Sequence, residues 1–241
     1  VIALPAGPYL RLAVTGLAVS IAGQTLTGDF TVEQQTQTDG STKTSVAVAN
    51  ASINLGDGAV VVTNGTGFFL LTSAGLAGAL AATVAIDPDL GVTFSGTFGV
   101  EINTTSAVVD ETIEVGLGTN TLSLPAGPFL RVSGTDVRLN VAGQSLSGDF
   151  AIERVTLASG ATVTKIAAAN VGLAISDGNT DLLTLSNGFG NVLILPADGA
   201  LPGGVAASFG GTVTLGVPDA SLTGTLQVEI NQMLDRPVNE T

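Results

Sequence analysis

The chain contains no histidine and no cysteine. The side chains that most often supply a general base, a thiolate nucleophile or a zinc ligand are therefore missing. Its reactive repertoire is carboxylate. Glu33, Glu101, Glu153 and Glu229 each close one short pattern, read as TLTGDFTVE from Thr25, TFSGTFGVE from Thr93, SLSGDFAIE from Ser145 and SLTGTLQVE from Ser221. Two carboxylates flanking a glycosidic bond can hydrolyse it. These four also end hydroxyl-rich alternating segments, where a glutamate needs only water, and that reading requires no substrate. The second candidate is Asp177-Gly178-Asn179-Thr180-Asp181, the D-x-N-x-D spacing that opens a calcium loop. Asp177, Asn179 and Asp181 would be the ligands. However, Leu182 stands where the loop glycine belongs, and the matching stretch of the first half reads Asp57-Gly58-Ala59-Val60-Val61. An acidic hairpin turn is the simpler reading of the run. No catalytic residue and no cofactor other than calcium is expected, and the chain is not read as an enzyme.

Charge excludes further classes. Seven basic residues against twenty acidic ones give a net charge of −13, which leaves no basic footprint for nucleic acid or for anionic lipid. Absent cysteine removes disulfides. Gly67 to Ile86 is uncharged and long enough to cross a bilayer. Its counterpart, Gly190 to Leu215, contains Pro196, Asp198 and Pro202, so no transmembrane segment is expected.

The elements that must position these residues come in two sets. LPAGPYLR at Leu4 returns as LPAGPFLR at Leu124, and AGQTLTGDF at Ala22 returns as AGQSLSGDF at Ala142. VEIN at Val100 returns at Val228, by which point the second copy has gained about eight residues. Repetition on this scale marks an array. The division is repeat one over 1–112, a joining segment over 113–120 and repeat two over 121–241. Asn239-Glu240-Thr241 matches Asp110-Glu111-Thr112, which places the last residue in phase with the start of another joining segment and suggests further copies.

Alternating apolar runs separated by Asp-Gly and similar pairs predict hairpin-linked strands. Copy one reads as Tyr9–Ala22, Thr25–Gln37, Lys43–Leu55, Ala59–Thr72, Leu76–Ile86 and Val92–Thr104. Copy two reads as Phe129–Ala142, Ser145–Thr156, Val163–Ile175, Asp181–Leu195, Val205–Leu215 and Ala220–Gln232. Most carry Gly or Asn near the middle, including Gly16, Gly28, Asn50, Asn64-Gly65 and Gly96, with Gly134, Gly148, Asn170, Asn187-Gly188 and Gly224 in copy two. Glycine inside a strand marks a bend, a bulge or a close approach. In the first strand the apolar phase slips by one between Val14 and Leu17, which is what a bulge does. The expected fold is all-β: two tandem antiparallel meanders of about six long strands, bent at their centres into a folded sheet or a β-solenoid-like form. Two tandem β-sandwiches are the alternative. One continuous twelve-strand sheet would measure roughly 55–60 Å across its strands. Phe30, Phe98 and Phe150, on the apolar face two residues past the bend glycines, are expected in the core. Thr27, Asp29, Thr31 and Glu33 are expected on a wet face.

Repetition and composition together make the whole chain resemble the tandem modules of giant bacterial surface and adhesin-like proteins. That resemblance implies an extracellular or cell-surface structural protein, a spacer, stalk or fibre segment whose partners are neighbouring repeats, with self-association included. It transfers no functional residues. A different class, an apolar-ligand or lipid-binding β-groove, would need an open apolar face. A calcium- or carbohydrate-binding adhesin module is a further alternative, disfavoured by the low aromatic content.

Overall fold

A computed structural model describes residues 7–21, 24–55, 59–86, 92–141, 144–157, 159–177, 179–197, 203–217 and 220–233. The expected turns at Asp57-Gly58 and Asp87 to Gly91, Gly178 of the acidic run, and the Asn239–Thr241 match lie outside the described residues. The described residues form fourteen strands and no α-helix. Copy one supplies β1 (Tyr9–Ile21), β2 (Gln24–Thr36), β3 (Thr42–Leu55), β4 (Val60–Thr72), β5 (Gly75–Ile86) and β6 (Val92–Asn103). A short hairpin follows, β7 (Val109–Val115) and β8 (Gly118–Leu124). Copy two supplies β9 (Phe129–Val141), β10 (Gln144–Thr156), β11 (Thr162–Ser176), β12 (Asp181–Leu195), β13 (Gly204–Val217) and β14 (Ala220–Asn231). The long strands follow one another in a single antiparallel meander, with β9 next to β6, while β7 and β8 form their own two-stranded sheet. The tandem meander expected from the sequence is thus the observed fold. The Gly67–Ile86 stretch is β4 and β5, and no helix among the described residues is long and apolar enough to cross a membrane.

The strands are interrupted where Gly and Asn predicted it. Register shifts fall between Val14 and Leu17, between Thr27 and Asp29, and on both sides of Ala51. Copy two repeats the second and third between Ser147 and Asp149 and on both sides of Val171, and adds a shift between Ser186 and Phe189. Asn50, Asn64, Asn170 and Asn187 sit at φ near +50°, a region asparagine enters more readily than most residues. The bend is thereby written into successive strands at one level.

Contacts divide the chain into two compact units that do not follow the repeat boundary. Unit 1 comprises Val1–Val84 with Gly99–Leu130, and unit 2 comprises Ala85–Phe98 with Arg131–Thr241. The first half of β6 therefore belongs with β9. There Gly96 is tight, because a Cβ built on it would lie 3.2 Å from the Cα of Val137 and from the Phe98 ring. Gly28 and Gly148 are equally close to a neighbouring backbone, whereas a Cβ on Gly224 of β14 would meet nothing within 4 Å. Of the bend or close contact expected at Gly224, the close contact is absent, since among the described residues β14 has no further strand beside it. Gly96→Val should lose about 1–3 kcal/mol through overpacking. Gly224→Val should stay within about 0.5 kcal/mol, as an exposed change to a better strand former. Urea unfolding of the two variants checks the contrast, and equal losses would contradict it.

Core placement departs from the sequence reading. Phe30, Phe98 and Phe150 are half-buried. In unit 1 the face read as wet is covered: Thr31 is 0% exposed, while Leu12 on the apolar face is 62% exposed. Period-two alternation separates two faces without saying which of them a later segment will cover.

Candidate functional site: a covered sheet face and its open counterpart

The cover is the β7–β8 hairpin. Alternation along it turns Val109, Ile113 and Val115, then Leu122 and Leu124, inward and buries all five. The hairpin packs on β3 and β4, where Ala47, Phe68 and Leu70 are also buried, as is Ala77 of β5. Burying each large aliphatic side chain stabilises by about 1.5–3 kcal/mol, so apolar contact decides that the hairpin docks. Polar contacts set its position. The Asn120 amide donates to the Gly67 carbonyl at 3.0 Å. Arg11 donates to the Glu114 carboxylate at 2.7 Å and to the Glu114 carbonyl at 3.0 Å. Lys43 pairs with Glu111 at 2.6 Å. Exposed pairs of this kind are each worth about 0.2–1 kcal/mol. Arg11 thus pairs with an acidic residue of the joining segment, Glu114.

The hairpin's base is held by Asn103, which is 0% exposed. Its amide donates to the carbonyls of Ala107 and Pro125 at 2.9 and 2.8 Å, on either side of the hairpin. Its oxygen accepts from the Thr105 N–H and hydroxyl. The tip turns at Gly116, whose φ of +58° suits glycine and where a Cβ would lie 2.7 Å from the Asp29 carboxylate. Residues 109–124 lie outside the strands expected from the sequence. The signal was the alternation Val109, Glu111, Ile113, Val115 followed by a glycine-bounded turn.

Asp29 itself clasps the bend. Its two carboxylate oxygens accept the Gly16 N–H and the Asn50 amide, both at 2.8 Å. Asp149 repeats this with the Asp136 N–H at 2.8 Å and the Asn170 amide at 2.7 Å. The Asn50 amide and then the Gly16 N–H hold the Asp29 pKa below the ordinary carboxylate value, and the Asp136 N–H and then the Asn170 amide do so for Asp149. A depressed folded-state pKa contributes stability that is complete above the unfolded value and lost as pH falls through the folded one. The advantage of the wild-type chain over an Asp29→Asn, Asp149→Asn double variant should therefore be constant above about pH 5 and shrink below about pH 4. Thermal melts across that range check it, and an advantage that grew on acidification would contradict the clasp.

Glu33 accepts the Tyr9 hydroxyl at 3.0 Å, and Glu229 accepts the Gln227 amide at 3.0 Å. Glu153 is held by two donors of Arg131, at 2.8 and 2.5 Å. Glu101 is half-buried on β6. Of the acidic run, Asp177 accepts the N–H groups of Asn179 and Thr180, both at 2.9 Å, in an Asx-type turn before β12. These donors hold its pKa down. Asn179 is exposed in the turn and Asp181, also exposed, opens β12. Among the described residues no group of three or more acidic side chains is placed to hold a metal ion.

Unit 2 carries a cleft of about 910 Å³ over the corresponding sheet face. Arg131, Glu153, Lys165, Asn191, Ser208 and Glu229 mark a polar row across it. Residue pairing along the row joins Glu153 to Lys165, Asn191 to Ser208 and Ser208 to Glu229. Leu193 and Ala206 of its lining are buried in a cluster with Val163 and Met233. No known family, characterised protein or solved structure matches the chain.

Proposed function

We propose that the chain is a structural repeat module, a spacer, stalk or fibre segment of a large secreted bacterial surface protein, acting by shape and without catalytic turnover. The observation that carries this reading is the state of β14. It bears the SLTGTLQVE motif as β6 bears TFSGTFGVE, and all of its residues are exposed. β6 adjoins the first strand of the following copy, β9, with Gly96 against Val137. A strand built like β6, with no further strand beside it among the described residues, is the place where the first strand of a neighbouring repeat would add, by the strand addition that joins the two copies here. Acidity, absent cysteine and repetition support an extracellular or cell-surface setting. Small-angle scattering of this chain and of two chains fused head to tail tests the proposal. The longest dimension should about double, as stacked repeats require, and a compact particle of unchanged length would refute it.

A second reading rests on the open apolar face. Leu10, Leu12 and Leu71 in unit 1 and Ile152 and Ile194 in unit 2 are exposed, and surfaces of this kind mark interaction or ligand sites. Stoichiometric co-purification of a lipid would favour this apolar groove over the spacer.

A further inference from the structure

We infer that the cleft of unit 2 is a seat for a β-hairpin of the β7–β8 type, apolar on its inner face and acidic along its rim. The inference goes beyond the spacer reading and stands without it. It rests on comparing equivalent positions of the two repeats. Ala47 is 0% exposed and its equivalent Ala167 is exposed. Phe68 is buried and Asn191, at the same place, is exposed. Asn103 is buried and Asn231 is exposed. Among the described residues, the β7–β8 hairpin lies over the first face and the cleft over the second.

The seat is built for the same fittings. Asn231 already accepts the Met233 N–H at 3.0 Å, as Asn103 accepts the Thr105 N–H two residues on. Arg131, held in place by Glu153, stands where Arg11 grips the hairpin through Glu114. The Asp149 clasp matches the Asp29 clasp, against which the hairpin tip packs through Gly116. Leu193 and Ala206 floor the cleft where Leu70 and Ala77 floor the covered face. Three differences change the lining. Asn191 replaces Phe68, Lys165 replaces Ser45 and Val163 replaces Lys43, so this seat is more polar at its floor and keeps two cations, Arg131 and Lys165, in a new arrangement for an acidic insert. The occupant is thus a hairpin offered by another copy of this repeat.

A cyclised peptide of residues 106–128, first shown by NMR to hold cross-strand contacts, is titrated into the full chain. In parallel the same segment is joined to Thr241 through a flexible linker, which raises its effective concentration. Saturable binding that protects the amides of β11 and β12 is expected. It should weaken about tenfold or more in Ala167→Glu, an exposed position whose substitution spares the fold, and in a peptide with Glu111 and Glu114 changed to lysine. No protection with either the peptide or the fusion would overturn the inference. So would binding indifferent to both changes, or a fatty acid held in the cleft to the exclusion of the hairpin. An elongating chain that ignores the hairpin would sink only this inference, and a compact chain that captures it would sink only the spacer.

Discussion

Replacing Asn103 with leucine is expected to release the β7–β8 hairpin from its sheet. The change is close to volume-conserving, so its effect is polar. It removes the one side chain that ties the Ala107 and Pro125 carbonyls to the N–H and hydroxyl of Thr105. The Thr105 N–H is buried, and a buried group left without its partner costs about 1–3 kcal/mol, while the Ala107 carbonyl keeps the Thr105 hydroxyl at 3.3 Å. Hydrogen exchange should show the amides of β7 and β8 losing protection well before the rest of unit 1, because the hairpin makes its own small sheet. The same change at Asn231 should cost less than about 1 kcal/mol in the isolated chain, as that residue is exposed. Undiminished protection in Asn103→Leu would mean that apolar contact alone holds the hairpin.

Phe68→Ala is expected to be the most damaging truncation in unit 1, at about 3–5 kcal/mol. The side chain is 2% exposed, lying beneath the hairpin, and its loss leaves a cavity that the β7–β8 cover and the β3–β4 pairing cannot both collapse to fill. Phe30→Ala should cost clearly less, because Phe30 is half-buried. Equilibrium urea unfolding reads both. Comparable losses would place the core on the other face of the sheet. The pair also tests the hairpin's role from beneath, since Asn191 occupies the Phe68 position in the uncovered copy.

Much of the architecture was legible in the residues. Strand positions followed from alternation broken by turn residues, and the twelve long strands agree with the predicted segments to within a few residues. The bulge in β1 was readable as a phase slip between Val14 and Leu17. The bends were readable as Gly and Asn, because the backbone there needs conformations that other residues resist. The clasp aspartates were visible only as a repeated Gly-Asp-Phe. Their work, bridging a bulged N–H to an asparagine two strands along the chain, became apparent from the hydrogen bonds.

What the sequence by itself determined is local: period, turns, bends, and the duplication that makes both copies obey one plan. Those features depend on steric and hydrogen-bonding preferences of neighbouring residues, and they survive in any context. Which face of each copy became the core was decided by tertiary structure alone. Thr31 is buried and Leu12 exposed because a hairpin nearly a hundred residues away folds back onto the side that alternation marked as wet. Burial depends on what arrives from elsewhere in the chain, and a segment's own pattern carries no record of it. The same physics separates the two repeats, in which nearly identical strands present a covered face in one unit and an open cleft in the other.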